Sequence, residues 1–244
     1  MCATCGCAGT GALVHDHDHD HVHELPPGDA RTVALQARVL AKNDDLATAN
    51  RQWLAARGVT MANLMSSPGA GKTTLLERTA ADLAGQLKLA VIEGDQETAL
   101  DADRIRAAGC RVVQINTGSG CHLDAEMVGR GLAVLEPSAG ALVLVENVGN
   151  LVCPALFDLG EASRVVLASV TEGADKPMKY PAMFTRADLV LVTKSDLLPY
   201  LRFDLDAYLA DLGRVSPSAR VITVSAESGD GLDQWYSWLA ATAA

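Results

Sequence analysis

Ser66-Ser67-Pro68-Gly69-Ala70-Gly71-Lys72-Thr73-Thr74 sets a lysine and two threonines directly after a glycine-bearing loop. The apolar run Met61-Ala62-Asn63-Leu64-Met65 precedes it and Leu75-Leu76-Glu77-Arg78 follows, which reads as strand, loop and helix start. Backbone N–H groups of such a loop and the positive end of the helix converge on one volume, and that volume suits a phosphate. Gly69, Ala70, Gly71 and Thr74 would line the cradle, Lys72 would reach the terminal phosphates, and the Thr73 hydroxyl would ligate Mg²⁺. Most matches to the pattern begin with glycine where this chain has Ser66. A plain Gly-Pro turn does not account for Lys72 followed by two threonines.

A second string addresses the base. Val190-Leu191-Val192 reads as a strand and ends in Thr193-Lys194-Ser195-Asp196. At this place after a phosphate loop, Asp196 would accept hydrogen bonds from N1–H and the 2-amino group of guanine. Adenine lacks both donors, and a carboxylate left unpaired in a closed pocket rejects it. Lys194 would lay its aliphatic stem along the base. The next apolar run ends in Val224-Ser225-Ala226, where Ser225 and Ala226 would face the guanine O6. Alone, Lys-x-Asp after a strand is often a helix cap; its position here favours GTP over ATP.

Two acids end apolar runs and could serve magnesium and water: Asp95 in Val91-Ile92-Glu93-Gly94-Asp95, and Glu146 in Leu142-Val143-Leu144-Val145-Glu146. Lys72, Asp95 and Glu146 are therefore the candidate catalytic group, with Thr73, Asp95 and Glu146 as the Mg²⁺ set. The bland alternative is that each acid only caps the following segment. No residue stands out as an arginine finger or as the holder of an attacking water, and slow intrinsic hydrolysis is expected.

Thiols and imidazoles form three further groups. Cys121-His122 follows a glycine-containing loop, and Cys153 lies seven residues beyond Glu146. Thiolate and imidazole suit Ni²⁺, Zn²⁺ or copper, although isolated cysteines are more often inert. The segment from Glu146 to Cys153 begins at a Mg²⁺ candidate and ends at a metal candidate, so one loop could couple hydrolysis to metal affinity. At the N-terminus, Cys2, Cys5 and Cys7 could wrap one ion, square-planar for nickel or tetrahedral for zinc. His15, His17, His19, His21 and His23, interleaved with aspartates, read as a low-specificity metal store. A leader with accidental cysteines and a purification tag are the respective alternatives.

Positioning these groups requires a scaffold, and its pattern is regular. A helical stretch covers about 29–57; apolar runs near 60–66, 88–92, 111–115, 141–146, 164–169, 188–193 and 220–224 read as buried parallel strands. Helical stretches at 73–84, 98–108, 122–135, about 178–187, 204–212 and 231–240 separate most of them. The expectation is an α/β P-loop NTPase with a mostly parallel, doubly wound sheet, its ligands at the carboxyl ends of the strands. Leu25-Pro26-Pro27-Gly28 marks a linker, giving a flexible Cys/His-rich tail over 1–28 and a GTPase domain over 29–244. The chain has 244 residues with 20 basic and 30 acidic side chains, net −10, and 4% aromatics, which argues against nucleic acid as a partner. No apolar run reaches the ~18 residues of a membrane span, and the N-terminus does not read as a signal peptide. A cytoplasmic protein with metal-binding or reduced cysteines is expected.

With Glu93-Gly-Asp95, Cys121-His122, Glu146-Asn-Val-Gly-Asn-Leu-Val-Cys-Pro154, Asp175-Lys-Pro-Met-Lys-Tyr-Pro181 and Thr193-Lys-Ser-Asp196 beside the phosphate loop and the cysteine head, nearly the whole chain resembles the HypB family. These are nickel-incorporation GTPases of nickel–iron hydrogenase maturation. The resemblance implies a tight nickel site at Cys2, Cys5 and Cys7, present in some members. It also implies a weaker nickel or zinc site at Cys121, His122 and Cys153, on a homodimer interface promoted by GTP. The implied partners are a HypA-type zinc-containing accessory protein and the hydrogenase large subunit. Lys176 and Lys179 are candidates to touch phosphate or the dimer mate. Two other readings remain open. One is a urease-type nickel GTPase, whose usual motif is Cys-Pro-His where this chain has adjacent Cys121-His122. The other is a nickel storage protein with a regulatory nucleotide domain.

Overall fold

Runs rich in valine, isoleucine and leucine, apolar at nearly every position, are stable as strands only when both faces are covered. Seven strands pair in the computed structural model, which describes residues 30–96 and 98–243. The Cys2/Cys5/Cys7 head, the His15–His23 run and the boundary at residue 28 lie outside the described residues. The strands are β1 Thr60–Ser66, β2 Leu89–Asp95, β3 Arg111–Asn116, β4 Leu142–Glu146, β5 Ser163–Ser169, β6 Leu189–Thr193 and β7 Arg220–Val224. Every pairing is parallel, in the order β3-β2-β4-β1-β5-β6-β7. The inner strands, such as β4 and β6, are apolar runs of this kind, while β3 and β7 at the edges are more polar and less buried. The chain winds out from β1 to one edge, returns to β4, crosses to β5 and continues to the other edge. The carboxyl end of β1 therefore lies at the crevice where such sheets bind ligands.

The helices are α1 Ala30–Ala55, α2 Lys72–Asp82, α3 Leu100–Ala107, α4 Ala125–Leu135, α5 Lys176–Lys179, α6 Pro181–Phe184, α7 Leu205–Val215 and α8 Leu232–Ala243. Side-chain alternation sorts the core. Leu64, Leu144, Leu167 and Leu191 pack with Leu75 and Leu76 of α2 and Trp235 of α8. On the other face, Met61, Val143 and Val145 meet Leu54 of α1 and Val128 and Leu132 of α4. Val166 and Val190 on that same face pack with Phe184 of α6 and Tyr208 of α7.

Two expected helices differ. The stretch at 178–187 is instead the short α5 and α6, interrupted at Tyr180 (φ −128, ψ 53). Pro181 disfavours helical backbone in the residue before it, and its own ring fits the first turn of a new helix. The helix expected from 122 begins at Ala125, because the Asp124 carboxylate accepts the Met127 N–H at 2.8 Å and caps it. Cys121 and His122 thus belong to a loop.

Candidate nucleotide site and metal centre

The phosphate loop joins β1 to α2, with Gly71 at the helix cap in a left-handed conformation (φ 93) that a side chain would strain. Lys72 is buried, and its Nζ donates to Ser66 Oγ at 2.8 Å. Ser66 thereby holds the lysine from the place where glycine is usual. Burial pushes the Lys72 ammonium below its ordinary range, while Glu146 and Asp101 pull it back up. Thr73 Oγ1 donates to Glu146 Oε1 at 2.7 Å. A cavity of about 470 Å³ opens here, lined by Gly69, Lys72, Thr73, Asp95, Glu146 and neighbouring residues. Asp95 also accepts from Thr98 N–H and Oγ1, at 2.9 and 2.8 Å.

Register explains a carboxylate that the sequence reading did not assign. Glu93 of β2 lies directly opposite Glu146 of β4, so both point from the same face of the sheet into the phosphate cavity. Glu93 is 2% exposed, and Oε2 of each acid is buried without a hydrogen-bond partner. Burial, reinforced by Glu146 and Asp95, raises Glu93 to about 8. Burial raises Glu146 to about 7 against the pull of Lys72 and Thr73. Two orphaned carboxylate oxygens beside a buried lysine are costly in isolation. A divalent cation with phosphates would satisfy them, so the residues fit Mg²⁺·nucleotide.

A second cavity of about 250 Å³ adjoins the first, lined by Ala70, Gly71, Thr74, Thr193, Lys194, Asp196, Ser225 and Ala226 among others. Its walls are cross-linked. Thr193 Oγ1 donates to the Ala70 carbonyl and Lys194 Nζ to the Gly69 carbonyl, both at 2.7 Å. Ser225 Oγ donates to Asp196 Oδ1 at 2.6 Å, which ties the carboxylate to the end of β7. The predicted base residues therefore converge on one place beside the phosphate loop.

Cys121, His122 and Cys153 also converge. One ligand atom from each lies within 4.8 Å of the others, with Cys121 Sγ 3.7 Å from His122 Nδ1. Phe157 covers the imidazole at a ring separation of 4.0 Å. Burial, opposed by Asp124, pushes His122 below its ordinary value, which favours the neutral form in which an imidazole binds a metal. Helix α1 pins both loops. Asn43 accepts the Ala125 N–H and donates to the Asp158 carbonyl; Asn50 donates to the carbonyls of Ala125 and Leu159. Cys110 sits apart in the core, where burial raises its thiol to about 11.

The sequence profile of the CobW/HypB/UreG nucleotide-binding domain matches residues 60–223. The hydrogenase maturation factor HypB of Rhizobium leguminosarum bv. viciae is 49% identical over 96% of this chain and 78% of its own length. That of Escherichia coli K12 is 52% identical over 86% of this chain and 72% of its own. The chain belongs to the HypB family. Among solved structures, HypB from Helicobacter pylori in complex with nickel superposes with a TM-score of 0.78 at 38% identity, covering 83% of this chain and 95% of that one. HypB from Archaeoglobus fulgidus matches equally, with TM-score 0.78, 38% identity, and 84% and 100% coverage.

Within this HypB-family chain, several residues beyond the expected set touch the site. Arg104 of α3 lines the phosphate cavity, donating to Glu77 at 2.7 Å and to Thr74 Oγ1 at 3.3 Å. Glu172, after β5, accepts from the Ser67 hydroxyl in the phosphate loop. Only Glu93 carried a readable signal, an acid at a strand end two residues before Asp95. The other two partners are set by tertiary approach. Lys179 pairs with Asp175 and Lys176 lies over Tyr180.

Proposed function

We propose that this chain is a GTP-hydrolysing nickel metallochaperone of hydrogenase maturation, whose nucleotide state sets its hold on nickel. The observation that carries the reading is the loop from Glu146 to Cys153. Its first residue accepts the hydrogen bond of Thr73 in the phosphate loop, and its last belongs to the Cys121-His122-Cys153 triad. Thr73, Asp95 and Glu146 would hold Mg²⁺, which supplies charge neutralisation at the phosphates. Lys72 stabilises charge on the terminal phosphate, and Asp196 with Ser225 and Ala226 selects guanine. The triad takes nickel as cargo, and zinc suits the same donors. GTP closes a homodimer over the triad; the exposed Val152 and Leu156 beside Cys153 support that face as the contact. Hydrolysis then releases the ion towards a HypA-type accessory protein and the hydrogenase large subunit.

Nickel insertion in the host cell tests the reading. Strains carrying Lys72→Ala or Cys153→Ala should each contain hydrogenase with nickel reduced at least about tenfold, the first because removing one charge-stabilising donor typically costs about 10²–10³ in turnover, the second because the nickel site loses one of its thiolates. Normal nickel content with Lys72→Ala would show that nucleotide hydrolysis is not required.

A further inference from the structure

A strand sends neighbouring side chains to opposite faces, and at the end of β4 this divides two neighbours between two sites. Leu144 packs on the α2 side, whereas Val143 and Val145 pack on the side of α1 and α4. Continuing the alternation, Glu146 reaches Thr73 in the phosphate loop, and Asn147 turns to the opposite face. Asn147 is 1% exposed. Its Oδ1 accepts the N–H groups of Leu123 and Val148, both at 3.0 Å, and its Nδ2 donates to Asn63 Oδ1 at 3.2 Å. The Leu123 N–H belongs to the peptide that follows His122. Asn150 grips the same segment from its other end: Nδ2 donates to the Cys121 carbonyl at 3.3 Å, and Oδ1 accepts the Val152 N–H at 2.8 Å.

The segment is also wedged against the nucleotide site. A Cβ on Gly149 would stand 2.8 Å from Pro68 Cα of the phosphate loop, so the two backbones are in direct contact. A Cβ on Gly94, between Glu93 and Asp95, would stand 2.7 Å from Leu123 Cγ. No slack therefore separates the phosphate cavity from Leu123 and the loop that carries Cys153.

We infer that Asn147 and Asn150 are positioning residues that transmit nucleotide state to the metal triad. A displacement of Glu146 or Gly149 by the γ-phosphate moves the asparagine between them, and the Cys121-His122 segment follows through Leu123 N–H and Cys121 C=O. All three ligands then shift together with the loop that bears Cys153. This relay rests on the nucleotide gating proposed above.

The test uses the full chain carrying Cys2→Ser, Cys5→Ser and Cys7→Ser, so that thiolate-to-nickel charge-transfer absorption reports Cys121 and Cys153 alone. Anaerobic Ni²⁺ titrations against a competing chelator, with Mg·GDP and with Mg and a non-hydrolysable GTP analogue, give the ratio of nickel affinities in the two states. The parent ratio should be about tenfold or more. Asn147→Ser cannot span from Asn63 to Leu123, and Asn150→Ala loses the Cys121 contact; each should bring the ratio to within about twofold of one. An asparagine that only satisfied buried amides would alter stability and leave the ratio intact. The parent ratio retained in both variants would overturn the relay alone. A parent ratio of one would remove the gating itself and the relay with it. Asn150 is only half-buried, so its variant decides the matter if Asn147→Ser does not fold.

Discussion

The cavity at Asp196, proposed for the base, and the phosphate cavity share residues of the loop from Gly69 to Thr74, yet their polar groups are satisfied to different degrees. In the first, Thr193, Lys194 and Ser225 each donate to another wall of the cavity, and Asp196 is held by Ser225. In the second, Glu93 and Glu146 each keep a buried oxygen without a partner, and burial raises them to about 8 and 7. The base end is shaped before nucleotide arrives, which suits discrimination. The phosphate end holds a desolvation cost that a cation and phosphates would relieve, so ligand binding there is the one expected to change structure. The Cys121, His122 and Cys153 cluster is joined to the second end, through the loop that begins at Glu146, and not to the first.

Breaking the base end should have the largest effect. Asp196→Asn replaces one of the two carboxylate acceptors with an NH₂ donor and should weaken GTP about a hundredfold, from the loss of one charged hydrogen bond of about 1.5–3 kcal/mol. It should also bring a gain in xanthosine triphosphate affinity, read by equilibrium binding. GTP held at full strength would mean the cavity is assigned to the wrong base edge.

At the phosphate end the expected signature is a pH slope. Glu93 has a folded-state value of about 8 against an ordinary 4.5. The folded state therefore binds more protons between those values, and stability falls as pH rises through that window. Denaturant melts of the Mg²⁺- and nucleotide-free protein from pH 5 to 9 should show this loss, and Glu93→Gln should reduce it, leaving the part that Glu146, raised to about 7, contributes at lower pH. A slope unchanged by the substitution would mean that Glu93 ionises without cost. The smallest effect should come from the scaffold: Asn50→Ala leaves the Ala125 and Leu159 carbonyls without their donor and should cost about 1–3 kcal/mol. It should also loosen nickel, because those carbonyls lie just past His122, at the start of α4, and just past Phe157.

Much of the fold was legible in sequence, for a physical reason. The central strands β4 and β6 are apolar runs buried along their whole length, the edge strands β3 and β7 are shorter apolar stretches between polar residues, and the strand ends carry the motif residues, so the sheet and the crevice followed from periodicity. Lys72, Asp196 and Cys153 stand out in the sequence by motif position, and the fold places each beside its expected neighbours. Asn147 does not, since an asparagine after a strand reads equally as a turn, and only the pleat and the approach of Leu123 give it a partner. Glu93 was visible as an acid at a strand end, but its pairing with Glu146 depends on β2 lying beside β4, a neighbour relation that chain order does not provide. The α5–α6 break was readable in principle from Pro181; helical periodicity across 178–187 outweighed it wrongly.

The most direct test of nucleotide-gated nickel binding is an anaerobic Ni²⁺ titration of the full chain with its three N-terminal cysteines changed to serine. It is run once with Mg·GDP and once with a non-hydrolysable GTP analogue, with Cys153→Ala as the control. The account predicts a change in nickel affinity of about tenfold or more between the two nucleotides, abolished in the control, with nickel shifting GTP affinity by the same factor. Equal nickel affinity in both nucleotide states would contradict it and leave a nucleotide-binding domain with an independent metal site.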